Sequence, residues 1–81
     1  MAGSIESLAA KLAEDTMKVM DQTGEERLFV EVGKVLAASS QSLEEAYLTE
    51  IRVRLAERQA RRFLIQRMNE LKAAQAPKGS Q

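Results

Sequence analysis

Apolar residues recur along this chain at intervals of three and four, the spacing of one face of an α-helix. Short runs of turn-forming residues separate three such stretches. The three stretches predict helices over about residues 5–21, 24–38 and 43–74. The second stretch also contains a single candidate strand, which we reject because the chain offers no other strand to pair with it. The tight turn after the first helix favours a short helical hairpin packed on a long third helix. The predicted fold class is therefore all-α.

Serine and threonine mark the predicted helix starts. Ser4 suits the N-cap of the first helix, because its hydroxyl can accept a hydrogen bond from a first-turn amide. Thr23 and Glu26 have the spacing of a capping box at the start of the second helix. Ser42 and Glu45 have the same spacing at the start of the third.

Helical projection gives each of the two shorter helices one buried face. On the first helix this face consists of Ile5, Leu8, Leu12, Thr16 and Val19, with Ala9 and Met20 at its edges. On the second helix it consists of Leu28, Phe29, Val32, Val35 and Leu36. Met17 and Met20 are more readily explained as core filling than as an adaptable binding surface. Gly33, within the second helix, either permits a close helix crossing or is simply tolerated, at a cost of about 1 kcal/mol against alanine.

The third helix carries two apolar stripes that do not coincide. The first occupies its N-terminal half and consists of Leu43, Tyr47, Leu48, Ile51 and Leu55. The second, offset by roughly 120–150°, consists of Ala46, Val53, Ala60, Leu64, Met68 and Leu71, with Phe63 and Ile65 on its flanks. The shorter helices can cover only part of this surface. The surplus near Phe63, Leu64, Met68 and Leu71 predicts a second chain, and hence a two-fold homodimer in the form of a dimeric helical bundle.

Charge is distributed unevenly although the net charge is zero. Residues 1–50 hold ten acids and four bases, whereas residues 51–81 hold two acids and eight bases. Either the acidic half packs on the basic half, or the basic half meets an acidic partner, and the first interpretation is favoured.

Four arginines, Arg54, Arg58, Arg61 and Arg62, share one face of the third helix. Glu50 and Glu57 precede the first and third of them by four residues, the order that favours an ion pair. The remaining two need acidic neighbours from elsewhere in the chain. The candidates are Glu14, Asp15, Asp21, Glu25 and Glu26.

The residues that most catalytic and metal sites require are missing. The chain has no cysteine and no histidine, which excludes disulfides and metal sites built from thiolate or imidazole. Its four glycines are too far apart to form a phosphate-binding loop. We therefore predict no catalytic residue, no metal and no cofactor, and expect a protein that is not an enzyme.

No apolar run approaches about 18 residues, so a cytoplasmic protein without membrane contact is expected.

The predicted function is that of a small non-catalytic protein-interaction module, such as an adaptor, accessory subunit or regulator, acting through the third helix. The predicted partner-binding residues are Arg54, Arg58, Arg61, Arg62, Phe63, Leu64, Met68 and Leu71. The alternative is a nucleic-acid-binding dimer whose arginines contact phosphates. A pI near 6.3 disfavours that alternative. Residues 1–76 are predicted to form one helical domain, followed by a disordered tail at residues 77–81.

Overall fold

The computed structural model describes residues 3–75, which form three α-helices. They are α1 (Ser4–Thr23), α2 (Leu28–Ala37) and α3 (Gln41–Gln75). Both shorter helices pack on α3, and residues 3–75 contain no strand. The all-α prediction, with a short hairpin on a long third helix, is confirmed. The predicted tail at residues 77–81 and both ends of the predicted domain lie outside the described residues.

A glycine in the left-handed conformation ends α1. Gly24 has φ of 78°, and its N–H donates a hydrogen bond to the carbonyl of Met20 at 2.8 Å. Because the chain turns here, α2 begins at residue 28 and not at the predicted residue 24. The predicted capping box of Thr23 and Glu26 is wrong. Thr23 is still part of α1, and its hydroxyl donates to the carbonyl of Val19 at 2.7 Å.

The N-cap of α1 is one residue earlier than predicted. Gly3 occupies that position with extended backbone, and its N–H donates to the Glu6 carboxylate at 2.8 Å. Ser4 is therefore the first helical residue and not the cap. The Glu6 carboxylate accepts from the amide of the N-cap residue itself, and no side chain at the N-cap accepts from a first-turn amide as the serine hydroxyl was expected to do.

Ser40 caps α3, in place of the predicted Ser42. Its hydroxyl accepts a hydrogen bond from the N–H of Leu43 at 3.1 Å, and its carbonyl accepts from Glu44 at 3.0 Å. The helix consequently begins at Gln41, two residues before the predicted start. The capping box of Ser42 and Glu45 is wrong because both residues already lie inside the helix.

The core lies between α1 and the N-terminal half of α3. Its buried apolar residues are Ala9, Ala13, Met17 and Met20 from α1, and Tyr47 and Ile51 from α3. The partly buried side chains that pack around them include Leu28, Phe29, Val32 and Leu36 of α2. The prediction that the two methionines of α1 fill the core is confirmed.

The buried face of α1 is rotated by roughly 80° from the predicted one. Ile5, Leu8 and Val19 are exposed, Leu8 at 61% of its surface, whereas Ala9 and Ala13 are fully buried. Small side chains at the contact allow two helix axes to approach closely, and the ring of Tyr47 fills the space beside them. Val35 of α2 is likewise exposed, contrary to its predicted place on the buried face.

Two hydroxyl groups form a buried hydrogen-bonded chain through the core. The Tyr47 hydroxyl donates to Oγ1 of Thr16 at 3.0 Å, and Thr16 donates to the carbonyl of Leu12 at 2.8 Å. Within residues 3–75 every buried side-chain nitrogen and oxygen has a hydrogen-bond partner. The core therefore contains polar groups without the desolvation penalty of leaving them unpaired.

The third helix extends well beyond the hairpin. Residues 59–75 are exposed at every position, and we refer to this stretch as the free half of α3. It is about 25 Å long at 1.5 Å per residue. The radius of gyration is 18.5 Å, against about 12 Å for a compact domain of this size. The single chain is a small three-helix core with a protruding helical arm.

Replacement by alanine is expected to have opposite effects on stability at Gly33 in α2 and at Gly24 in the turn before it. A Cβ at Gly33 would lie 3.4 Å from the Leu48 side chain, an ordinary contact, so Gly33→Ala should stabilise the fold by about 0.5–1 kcal/mol. Gly24→Ala should destabilise it by about 1 kcal/mol, because φ there is 78°. Urea unfolding followed by circular dichroism measures both, and the same sign for the two would contradict this explanation.

Candidate interaction surface on the third helix

The apolar side chains predicted to bind a partner all lie on the free half of α3. Phe63 is 66% exposed and Leu64 61% exposed, and Met68 and Leu71 are exposed as well. Leu64, Met68 and Leu71 fall on one side of the helix, with Phe63 at its edge. Within residues 3–75 none of the four packs against the core. An apolar surface of this kind on a helix commonly marks an interaction site.

Two of the four predicted arginines are paired with glutamates of their own helix. Arg54 forms an ion pair with Glu50 and also donates to the carbonyl of Ala10 at 3.4 Å. Arg61 donates from Nε to the Glu57 carboxylate at 2.8 Å. Both pairs have the spacing of four that the sequence predicted. Their positive charge is largely compensated before any partner arrives.

Arg58 connects the basic helix to the acidic half of the chain. Its two terminal nitrogens donate to the two carboxylate oxygens of Asp21 at 2.7 and 2.8 Å. Asp21 was one of the five candidate acids, and this contact supports the interpretation that the acidic half packs on the basic half. Both side chains remain partly exposed, so solvent screens the interaction.

The Arg58 contact also affects protonation. Hydrogen bonds from the guanidinium hold the pKa of the Asp21 carboxyl below its usual value, and the same contact raises the pKa of Arg58. The lowered pKa favours folding at every pH above the ordinary aspartate range. That contribution is lost in acid, as the pH falls through the lowered pKa.

Arg62 is the one member of the predicted arginine set without an ion pair inside residues 3–75. It lines a shallow cleft beside Asp21, Glu26 and Gln59. Arg67, outside the predicted set, donates to Glu70 at 3.1 Å. The arginine face is thus mostly paired within the chain, whereas the apolar face beside it is uncovered.

An open groove between α1 and α3 was not predicted from the sequence. Its volume is about 520 Å³, and its floor includes Met17 and the exposed side chain of Val53. Charged residues from both helices surround it, namely Glu14, Lys18, Arg54, Glu57 and Arg58. Val53 also belongs to the second apolar stripe of α3, and the groove residues of α3 lie between 53 and 58, next to the free half.

The exposed apolar residues of α1 were also missed as surface features, since the projection placed Ile5, Leu8 and Val19 in the core. The available signal was the row of alanines at positions 9, 10 and 13, which offered α1 a second possible contact face. Alanine carries too little apolar surface for a hydrophobic projection to favour it over leucine.

No three carboxylates among residues 3–75 approach closely enough to hold a metal ion. Burial raises the pKa of the Tyr47 hydroxyl, which is closed off from solvent and bonded to Thr16. None of the helices in this part of the chain has the length and apolar character needed to cross a membrane.

Comparison with other proteins adds no relationship. No family model, no curated protein and no solved structure matches the chain.

Proposed function

We propose that this chain is a small non-catalytic protein-interaction module that associates through the free half of α3. One observation carries the proposal: residues 59–75 form a helix that is exposed at every position and bears Phe63, Leu64, Met68 and Leu71. A cytoplasmic location is part of the same proposal. An adaptor, an accessory subunit or a regulator would each use such a surface.

The energetics of an isolated helix support this proposal. Helices shorter than about 12–15 residues are marginal in water even when rich in alanine. The free half is only slightly longer, and it is exposed at every position, with Gln59 and Arg62 at its start lining the cleft beside the hairpin. Burial of an apolar side chain against a partner contributes about 1.5–3 kcal/mol. Association would therefore stabilise the helix and remove its apolar side chains from water in a single step.

The first partner that we propose is a second copy of the chain. Closed two-fold symmetry is the commonest form of self-association, and it presents the same apolar surface from both sides. The arginine face would then contribute to orientation and association rate more than to affinity, because three of its four members already have acidic neighbours.

Sedimentation equilibrium from about 1 to 100 µM tests the proposal. The expected result is a concentration-dependent rise from the 9.0 kDa of one chain toward twice that mass. A mass of 9.0 kDa at every concentration would contradict self-association.

A salt titration tests the nucleic-acid alternative in the same preparation. Phosphate binding by the arginine face would weaken linearly in log K as log salt rises. Absence of binding to duplex and single-stranded DNA at about 50 mM salt would remove this alternative. Tight binding with a steep salt dependence would instead overturn the preference for a protein partner.

A further inference from the structure

We propose that α3 pairs in antiparallel orientation with α3 of a second copy, in one defined register. In this register Val53 faces Leu71, Glu57 faces Arg67 and Ala60 faces Leu64 of the other copy. The inference rests on the proposed self-association and adds the direction, the register and the contacts of the interface.

The spacing of six residues defines the contact line. Val53, Glu57, Ala60, Leu64, Arg67 and Leu71 follow one another at alternating intervals of four and three, and we refer to these six as the seam. Such spacing is that of the core positions in a two-stranded coiled coil. The six positions lie within about 80° of one another around the helix. Each apolar member of the seam except Ala60 is a large side chain that the single chain leaves exposed.

The two charged members of the seam decide the direction. In a parallel dimer each seam residue faces the same residue of the other copy, so Glu57 would meet Glu57 and Arg67 would meet Arg67. Two like-charged contacts in the seam would oppose association. The antiparallel register replaces both with Glu57–Arg67 contacts, one on each side of the two-fold axis. Both side chains are about half exposed in the single chain and can reach across.

Side-chain size supports the same register. The small Ala60 faces the large Leu64, and large Val53 and Leu71 meet at the two outer ends of the seam. Alternation of small and large residues across an interface allows the side chains to interdigitate. A shift by one heptad would place Leu64 opposite Arg67 in one direction and Ala60 opposite Glu57 in the other, so an apolar residue would face a charged one in either case.

The two-fold axis crosses the helix pair at the level of residue 62. Near this axis, residues on either side of the seam lie close to the same residues of the other copy. On one side the two Phe63 rings come together, and aromatic pairs of this kind stabilise an interface beyond the burial of their area. On the other side the two Arg61 side chains approach. Each Arg61 is bound through Oε2 of Glu57, which compensates the repulsion and leaves Oε1 of that carboxylate for Arg67 of the other copy.

In this register the groove between α1 and α3 is covered by α3 of the second copy. Val53 forms part of that groove together with Met17. Because Leu71 of the second copy faces Val53, the end of the second α3 would lie over the groove and cover its apolar floor. The interface would then extend from the free half of each α3 to the three-helix core of the other copy.

Cysteine cross-linking tests the register against a background without any native cysteine. The double variant Val53→Cys/Leu71→Cys should form a covalent dimer under mild oxidation, because the register brings these positions to the short separation that a disulfide requires. Each single variant should remain uncross-linked, since like positions are about 27 Å apart along the antiparallel helices. Val53→Cys/Asn69→Cys is the matched control, because Asn69 lies on the opposite side of the helix.

Sedimentation of the same samples before oxidation separates the two proposals. A dimer that cross-links only in the double variant supports the register. Efficient cross-linking by Leu71→Cys alone would show a parallel pair and overturn it, as would a dimer in which the double variant cross-links no better than the control. A monomer throughout would overturn the register together with the self-association on which it rests.

Discussion

Leu64→Glu is expected to convert the proposed dimer to a monomer, with a rise in Kd of at least about 100-fold. Leu64 lies at the centre of the seam and is 61% exposed in the single chain, so glutamate is tolerated there until association buries it. Two-fold symmetry repeats the change in both copies, and each buried carboxylate would face an apolar neighbour. Sedimentation equilibrium gives the Kd of both proteins.

Asn69→Glu is the matched control for this prediction. It introduces the same charge on the same exposed half of α3 but on the side away from the seam. Its Kd should stay within a few-fold of the original value. Urea unfolding of the monomeric Leu64→Glu variant should still show a cooperative transition, because no core residue has changed. An unaltered Kd for Leu64→Glu would show that the interface lies elsewhere.

Tyr47→Ala is expected to destabilise the fold by about 3–5 kcal/mol. Tyr47 is fully buried and is one of the two largest side chains in the core. Removal of its ring leaves a cavity between α1 and α3 and removes the hydrogen bond that the Thr16 hydroxyl accepts, whereas the bond from Thr16 to the Leu12 carbonyl remains. A domain of this size is stable by only about 4–11 kcal/mol, so the variant should be close to unfolding at 25 °C. Urea unfolding at fixed protein concentration measures the loss.

Tyr47→Phe separates the ring from its hydroxyl. It keeps the packing and removes only the hydrogen bond to Thr16 at 3.0 Å, so the expected cost is about 0.5–1.5 kcal/mol. Equal losses for the phenylalanine and alanine variants would contradict the view that packing of the ring stabilises this core.

Alkaline pH provides an independent test of the same residue. Burial raises the pKa of Tyr47 above its usual 10.0, and the hydrogen bond to Thr16 opposes this only in part. A raised pKa favours the folded chain fully below pH 10, and that contribution is lost as the pH rises through the higher value. Tyr47 is the single tyrosine, so phenolate absorbance reports its titration alone. Titration at the usual pKa in the folded protein would contradict its burial.

Periodicity alone was sufficient to predict three helices, the hairpin on α3 and the exposure of its far end. These features depend on residues that are near in sequence and on helix length, which a projection describes well. The free half of α3 could be anticipated because neither shorter helix is long enough to cover residues 43–74. Phe63, Leu64, Met68 and Leu71 therefore lie exposed in the structure as the sequence predicted.

The caps and the orientation of α1 could not be predicted, for two physical reasons. Several neighbouring serines and threonines offer similar caps, and a difference of a few tenths of a kcal/mol selects among them. The choice of Ser40 over Ser42 is one example. For α1, close packing of Ala9 and Ala13 against α3 prevailed over the larger apolar area of Leu8. Such a contact depends on the partner helix, which a single-helix projection does not include.

The partner of Arg58 shows the same limit. Five acids were candidates, and only the packing of α1 on α3 brings Asp21 to within 2.8 Å of the guanidinium. The Arg54 and Arg61 pairs were predictable because they lie within one helix. The seam can likewise be recognised from the spacing of residues in one helix. The proposed register could not be predicted in that way, because it depends on which positions the structure leaves exposed and on the exposure of Glu57 and Arg67 in their ion pairs with Arg61 and Glu70.

Amide hydrogen exchange across residues 59–75, measured at one concentration above the Kd and one below it, tests the role of this helical half most directly. A lone exposed helix opens with little free energy, whereas a helix in an interface is protected. We predict strong protection of residues 59–75 at the high concentration and rapid exchange at the low one, with the amides around Tyr47 protected at both. Equal exchange of residues 59–75 at the two concentrations would contradict an interface on the free half of α3.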